Sequence, residues 1–178
     1  MKSRGLSRII TMTAAPFSWA IVAIFSCFFV IYAQAFASED EEKELPIPRF
    51  VSLKADDVNM RVGPGTRYAI KWVYKHEGLP VEIIQQFEAW REIRDPDGTI
   101  GWVHKQMLQS KRMAIIKKNV AVLRKSPEEH GSPIIRAEPG VIGKLLECEK
   151  DWCKIQVSGH KGWIAKTGIW GAYKSEKF

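Results

Sequence analysis

The sequence predicts an all-β protein: two tandem small β-barrels behind an N-terminal apolar segment. Three observations carry this. A block pattern repeats at an offset of about 62 residues. Each repeat consists of short strand-forming runs cut by turn residues. Neither repeat holds a sustained 3.6-residue apolar period, the mark of an amphipathic helix.

The repeat is read directly from the residues. Asn59-Met60-Arg61-Val62-Gly63-Pro64 aligns with Val122-Leu123-Arg124-Lys125-Ser126-Pro127. Glu77-Gly78-Leu79 aligns with Pro139-Gly140-Val141. Ala89-Trp90-Arg91-Glu92-Ile93 aligns with Asp151-Trp152-Cys153-Lys154-Ile155, and Gly101-Trp102-Val103 with Gly162-Trp163-Ile164. Four blocks in one order at nearly constant spacing are two copies of one unit. A unit of about 60 residues stands near the lower limit for independent folding.

Taken in order, the chain begins basic at Lys2, Arg4 and Arg8, then carries no charge from residue 9 to 38. Its centre, residues 17–33, is strongly apolar, and Ala35-Phe36-Ala37 follows. Basic, apolar, then an A-x-A-like site is the order of a secretory signal, with cleavage expected after Ala37. The alternative is an uncleaved anchor helix, because an apolar run of about 18 or more residues spans a bilayer. Both readings export the remainder. A lipoprotein reading through Cys27 fails, since Phe25 stands where a lipobox takes a small or aliphatic residue. Residues 38–48 hold five acids and two prolines. Such a segment buries too little surface to offset its ordering entropy, so it is expected to be a flexible linker. Residues 49–111 and 112–178 are then the two barrels.

Within the first barrel, Val81-Glu82-Ile83-Ile84-Gln85-Gln86-Phe87 and Trp90-Arg91-Glu92-Ile93-Arg94 are strands. Asp95-Pro96-Asp97-Gly98 is a turn, since Pro presets φ and Gly tolerates positive φ. Thr99-Ile100-Gly101-Trp102-Val103 is the next strand. The second barrel repeats the plan through residues 141–147 and 152–157, a Ser158-Gly159-His160-Lys161 turn, and residues 162–165. Gly101 and Gly162, each before a Trp, predict close backbone approach. Short strands with tight turns suit a small barrel that closes on its own edges.

Val58-Asn59-Met60-Arg61-Val62-Gly63-Pro64-Gly65-Thr66-Arg67-Tyr68 resembles the opening motif of bacterial SH3-type domains. That motif is an apolar-Asn-apolar-Arg strand followed by Gly-Pro-Gly. Gly78, Trp90 and Gly101-Trp102-Val103 fill the later places of the same pattern. The second copy keeps Val122-Leu123-Arg124, Trp152 and Gly162-Trp163-Ile164, but Lys125-Ser126-Pro127-Glu128 lacks both glycines, which puts its early loop in doubt as a ligand site. The resemblance implies two SH3-like barrels. It also implies a cell-wall targeting or protein-interaction role, with a groove beside the loop after Arg61.

No catalytic constellation stands out. His76, His104, His130 and His160 each lack a second ligand at metal spacing. Neither a metal nor a cofactor is expected. A Cys148–His160 couple would need a peptidase domain of its own, and the barrels use up both repeats. The expected class is therefore a binding protein and not an enzyme. Cys148 and Cys153 flank four residues. In a hairpin they face each other with Cα atoms about 4.5–5.5 Å apart, within disulfide range, and export supplies an oxidising compartment. The first barrel has Gln86 and Arg91 at these positions.

Trp90, Trp102, Trp152 and Trp163, recurring at matched places with Gly101 and Gly162, are read as structural. Arg61 and Arg124 end a strand, where the stem packs on an aromatic and the head stays wet. Tyr68, Trp72 and Tyr74 belong to the first barrel alone. With Arg67, Lys71 and Lys75 they would form a basic aromatic surface for sugar faces and carboxylates. Arg61, Arg67, Tyr68, Trp72 and Tyr74 are thus the candidate ligand residues. The tail Trp170-Gly171-Ala172-Tyr173 is expected to pack against the barrel.

The whole chain carries +7. Setting aside the three N-terminal basic residues and the acidic linker leaves the folded part near +8. That favours an acidic partner. The expectation is a cell-wall polymer or an envelope protein in the periplasm or cell envelope. Nucleic acid is excluded by export, and membrane contact is confined to an uncleaved N-terminal segment.

Overall fold

The computed structural model describes residues 45–117 and 119–178. The expected signal or anchor helix and most of the acidic linker lie outside the described residues. Among the described residues no helix is long and apolar enough to cross a membrane.

Two seven-stranded antiparallel sheets follow one another along the chain. The first contains β1 (Arg49–Leu53), β2 (Val58–Arg61), β3 (Ile70–Tyr74), β4 (Pro80–Phe87), β5 (Trp90–Arg94), β6 (Ile100–His104) and β7 (Leu108–Gln109). The second contains β8 (Met113–Ile116), β9 (Ala121–Arg124), β10 (Pro133–Ala137), β11 (Ile142–Glu149), β12 (Trp152–Val157), β13 (His160–Ala165) and β14 (Ile169–Trp170). Strand order is β3-β2-β6-β5-β4-β1-β7 in one and β10-β9-β13-β12-β11-β8-β14 in the other, the same path twice. The expected all-β architecture is therefore observed. A single 3-10 turn precedes the last strand of each sheet, at Lys105–Met107 and Lys166–Gly168.

Strand alternation builds each core. In β5 and β12 every second residue is buried. Leu53, Val58, Met60, Val81, Ile93 and Val103 have no exposed surface in the first barrel. Leu123 and Ile155 do the same in the second, beside the sulfurs of Cys148 and Cys153. Gly101 and Gly162 sit where strands cross closely. A Cβ on Gly101 would stand 2.9 Å from the Arg61 carbonyl oxygen, and one on Gly162 2.8 Å from the Leu123 Cβ.

The β12–β13 turn is tighter than the expected four residues. Val157 pairs with His160, so Ser158 and Gly159 alone make it. Both have positive φ, 48° and 84°. Such a turn matches the twist of the flanking strands, which lets the strands extend to its edge.

The tail packs on its own barrel, as expected, where Ala172 lies against the second core and Phe178 exchanges backbone hydrogen bonds with Cys148 at 3.0 and 3.3 Å. It also reaches the first barrel. Trp170 meets the Phe50 ring edge-on with centroids 4.8 Å apart, and Tyr173 lies 4.6 Å from the same ring. The Tyr173 hydroxyl donates to Glu82 Oε1 at 2.9 Å, and Ser52 Oγ donates to the Lys111 carbonyl at 2.8 Å. Arg112 lies over Phe50 and Phe178, donates to the Gly171 carbonyl at 2.8 Å, and forms an ion pair with Glu176. Lys166, almost wholly buried, ties the tail down from beneath by donating to the Lys174 and Glu176 carbonyls at 3.0 and 2.6 Å.

This joint depends on pH from both sides. Burial alone would raise the Glu176 carboxyl, but bonds from Arg112 and the Tyr173 amide hold it below its ordinary 4.5. A depressed acid contributes stability that is complete above its unfolded value and lost as pH falls through the folded one. The Tyr173 hydroxyl is raised by burial and by its bond to Glu82, so its contribution is complete below its ordinary 10.0 and lost as pH rises beyond. We expect Glu176→Gln to melt below the parent at pH 7 and to converge with it as the pH falls below the ordinary carboxylate range. Parallel melting curves at every pH would refute the assignment.

Candidate functional site

The loop after Arg61 is filled by its own side chains. A Cβ on Gly63 would stand 2.6 Å from the Tyr68 ring, so that glycine makes room for the aromatic. Arg61 sits opposite Trp102 in the ladder, and Arg124 opposite Trp163. The Arg61 head is half-buried and tied to the loop. Its Nη1 donates to the Thr66 and Tyr68 carbonyls at 3.1 and 2.7 Å, bracing the loop. Arg124 Nη1 does the same for the Gly131 carbonyl at 2.9 Å, so the second loop keeps the brace although it lost both glycines of the motif.

The other candidate residues differ in exposure. Arg67 is exposed above the Tyr68 ring. Trp72 is 58% exposed on β3, whereas Tyr74, two residues along the same face, is 5% exposed. The Tyr74 hydroxyl donates to Asp95 Oδ2 at 3.0 Å inside the barrel. Burial and the neighbouring Asp95 charge raise that hydroxyl well above the ordinary tyrosine value. Lys71 is drawn to the Ile100 carbonyl at 2.8 Å and Lys75 to Asp57. Of the four repeated tryptophans only Trp163 is buried; Trp90, Trp102 and Trp152 are half-buried.

Asp95 organises the turn between β5 and β6. Its Oδ1 accepts from the Asp97 and Thr99 amides at 3.1 and 2.8 Å while Oδ2 accepts from Tyr74. The turn so held projects Pro96 and Asp97 toward the second barrel. A groove of about 800 Å³ opens there, walled by Pro96 and Asp97 from one side and by Ile115, Glu129, Trp152 and Trp170 from the other. A smaller hollow of about 270 Å³ holds Trp72 and Tyr74. The larger groove therefore belongs mainly to the second barrel, where sequence reasoning placed no ligand residue. No local pattern marks it, because its walls come from separate strands and from both barrels. Among the described residues no cluster of three or more metal-ligating side chains occurs.

The two hairpins β4–β5 and β11–β12 turn alike and are held differently. Glu88 and Lys150, at matched places, both adopt positive φ, 49° and 34°. The predicted disulfide is present: Cys148 and Cys153 are direct partners in the ladder with Cα atoms 4.1 Å apart. Glu149 pairs with Trp152 beyond them, so the turn proper has two residues. In the first barrel Gln86 faces Arg91, and Arg91 Nη1 donates to the Glu88 and Trp90 carbonyls at 2.7 and 2.9 Å. A guanidinium secures one hairpin and a covalent bond the other. Closing so short a loop stabilises by about 2 kcal/mol. Replacing both cysteines with alanine is expected to lower the melting temperature by roughly 5–10 °C. A melting temperature indifferent to the change, and to reductant in the parent, would refute a stabilising role.

The model of the family described as the bacterial SH3 domain matches the chain twice, over residues 54–109 and 117–171. No curated protein matches the chain. Among solved structures it is similar to NlpC2 from Trichomonas vaginalis, at 13% identity over 76% of this chain and 52% of that one, TM-score 0.34. It is similar to NlpC1 from the same organism at 13% identity over 72% and 47%, TM-score 0.32. An NlpC/P60 family protein from Bacillus cereus ATCC 10987 is similar at 10% identity over 68% and 55%, TM-score 0.31. The chain spans about half the length of these solved chains. The two matched segments cover more than half of the chain, and each takes in six of the seven strands of one sheet, all but β1 and β8; the chain belongs to the bacterial SH3 domain family, in two tandem copies.

Proposed function

We propose that the chain is an exported, non-catalytic binding module of the bacterial cell envelope, recognising peptidoglycan or a wall-associated peptide. The reading is carried by the groove of about 800 Å³ in a tandem member of this family. Concave sites with aromatic walls and a few polar groups are the usual form of a ligand site. Family membership supports wall targeting, because bacterial SH3-type domains commonly serve it. The basic, apolar and small-residue order of residues 1–37 supports export.

The test is sedimentation with purified sacculi. The protein is expected to pellet at low ionic strength, and raising the salt reports how much of the attraction is charge. Protein left in the supernatant at low salt refutes wall binding. A second reading, an adaptor for an envelope protein, is favoured by one observation. The edge strand β3 and its surroundings expose Val62, Ile70, Trp72, Val73 and Ile100, whereas from residue 112 onward the large apolar residues exposed among the described residues are Val120 and the terminal Phe178. An exposed edge strand offers unpaired backbone groups to an incoming chain.

A further inference from the structure

The far halves of β4 and β11 are built alike, yet one is covered and the other open. Each carries the same register shift, after Ile83 in β4 and after Leu145 in β11. Gln86 then faces Arg91 as Cys148 faces Cys153. The Cys148 N–H and C=O both bond with Phe178. In an antiparallel ladder a residue so bonded on one side forms no backbone bonds with its partner on the other. The matched Gln86 N–H and C=O therefore point away from β5 as well. β1 runs beside β4 only as far as Ile83, opposite Arg49. Pro46 and Pro48, on the approach to β1, carry no N–H with which to extend that ladder. Among the described residues, none bonds through its backbone with Gln86 from that side.

We infer that this open end of β4 is a docking edge: an extended segment of a partner protein pairs with Gln86 and sets an aromatic or branched aliphatic residue opposite Phe87. The covered copy shows how such a segment sits. Exchange of both bonds between Cys148 and Phe178 makes the tail antiparallel to β11, so Lys177 falls level with Glu149. Both are exposed, and opposite charges level with each other favour the pairing.

In the first barrel Phe87 stands in the place of Glu149 and is 51% exposed. Its ladder partner Trp90 is half-buried, and His104, next across, meets the Trp90 ring edge-on with centroids 5.3 Å apart. The second barrel has Glu149, Trp152 and Ala165 in the same row. The open edge is thus aromatic where the covered one is acidic, and an apolar side chain laid beside Phe87 takes both surfaces out of water. A second copy's tail is a poor occupant. It would set Lys177 against Phe87, and its own Arg112–Glu176 ion pair and the Lys166 bonds to Lys174 and Glu176 already hold it down. Docking at this edge stands or falls apart from wall binding, since neither probe below contains wall material.

The probes are two synthetic peptides of residues 171–178, one unaltered and one carrying Lys177→Ile, titrated into the isotope-labelled exported protein and read by its backbone amide shifts. The Lys177→Ile peptide is expected to shift the Gln86 and Phe87 amides and to bind about fivefold tighter than the unaltered one. Phe87→Glu, at an exposed position and copying Glu149, is expected to reverse that order. Without peptide, the Gln86 amide should exchange with solvent far faster than the Cys148 amide. If neither peptide moves the Gln86 and Phe87 amides, or if the shifts are confined to β3, the docking edge is overturned. Equal affinity for the two peptides, or an order that Phe87→Glu leaves unchanged, overturns the apolar residue opposite Phe87. Protection of the Gln86 amide that grows with protein concentration makes a second copy the occupant and overturns the partner protein. Protection equal to that of Cys148 in dilute protein shows the edge already covered and overturns the inference.

Discussion

Replacing Gly171 with alanine is expected to cost on the order of 3 kcal/mol and to lower the melting temperature by about 10 °C. Two costs combine. Gly171 has φ 122°, a region nearly closed to side chains. A Cβ there would also overlap the Met113 carbonyl oxygen and come within 3.0 Å of the Ala114 Cα, both backbone atoms of β8. β8 cannot retreat, because it is paired on both sides, with β11 and with β14. The Gly171 carbonyl also accepts from Arg112, so the disturbance reaches the joint between the barrels. Gly140→Ala is the control. Its φ is 84° and nothing stands within 4 Å of the added carbon. That change is expected to cost only about 1 kcal/mol. Equal losses at the two positions, read by thermal melting, would show that the β8 contact contributes nothing.

Asp95→Ala is expected to destabilise the first barrel by roughly 2–4 kcal/mol, through bonds lost at a nearly buried carboxylate. The side chain serves three donors at once: the Tyr74 hydroxyl and the amides of Asp97 and Thr99. Alanine leaves the Tyr74 hydroxyl buried beside the Met60 sulfur, its other neighbour at 3.4 Å. Tyr74→Phe removes the donor with its need, and is expected to cost about 1 kcal/mol. In the double variant the losses should fall short of their sum, because both changes delete one bond. Additive losses would mean that the Tyr74–Asp95 bond adds no stability.

Much of the fold was legible because its determinants are local. Strand runs and turn residues are read within a few positions, and their repetition doubles the signal. The disulfide was legible for the same reason: a hairpin's register follows from its turn, and Cys148 and Cys153 are partners in one hairpin. The candidate site was legible only in part. The sequence grouped Trp72 with Tyr74 as candidate surface aromatics, but it did not say that Tyr74 is covered and Trp72 open. That depends on what crosses the face, here Asp95 from a turn 21 residues away. The end-of-strand arginines were recognised, whereas their role as braces needed the carbonyls of a folded loop.

The sequence by itself thus determined two copies of a small barrel, the stapled hairpin and the glycines at the strand crossings. Each follows from backbone freedom, turn chemistry or period, properties of neighbouring residues. Only the tertiary structure decided that the tail closes on Phe50 of the other barrel, and that the main groove lies at the seam. Those features depend on how two finished barrels meet, and their partners, such as Phe50 and Tyr173 or Asp97 and Trp152, are far apart in the chain. No periodicity within either repeat records a contact that exists only between them.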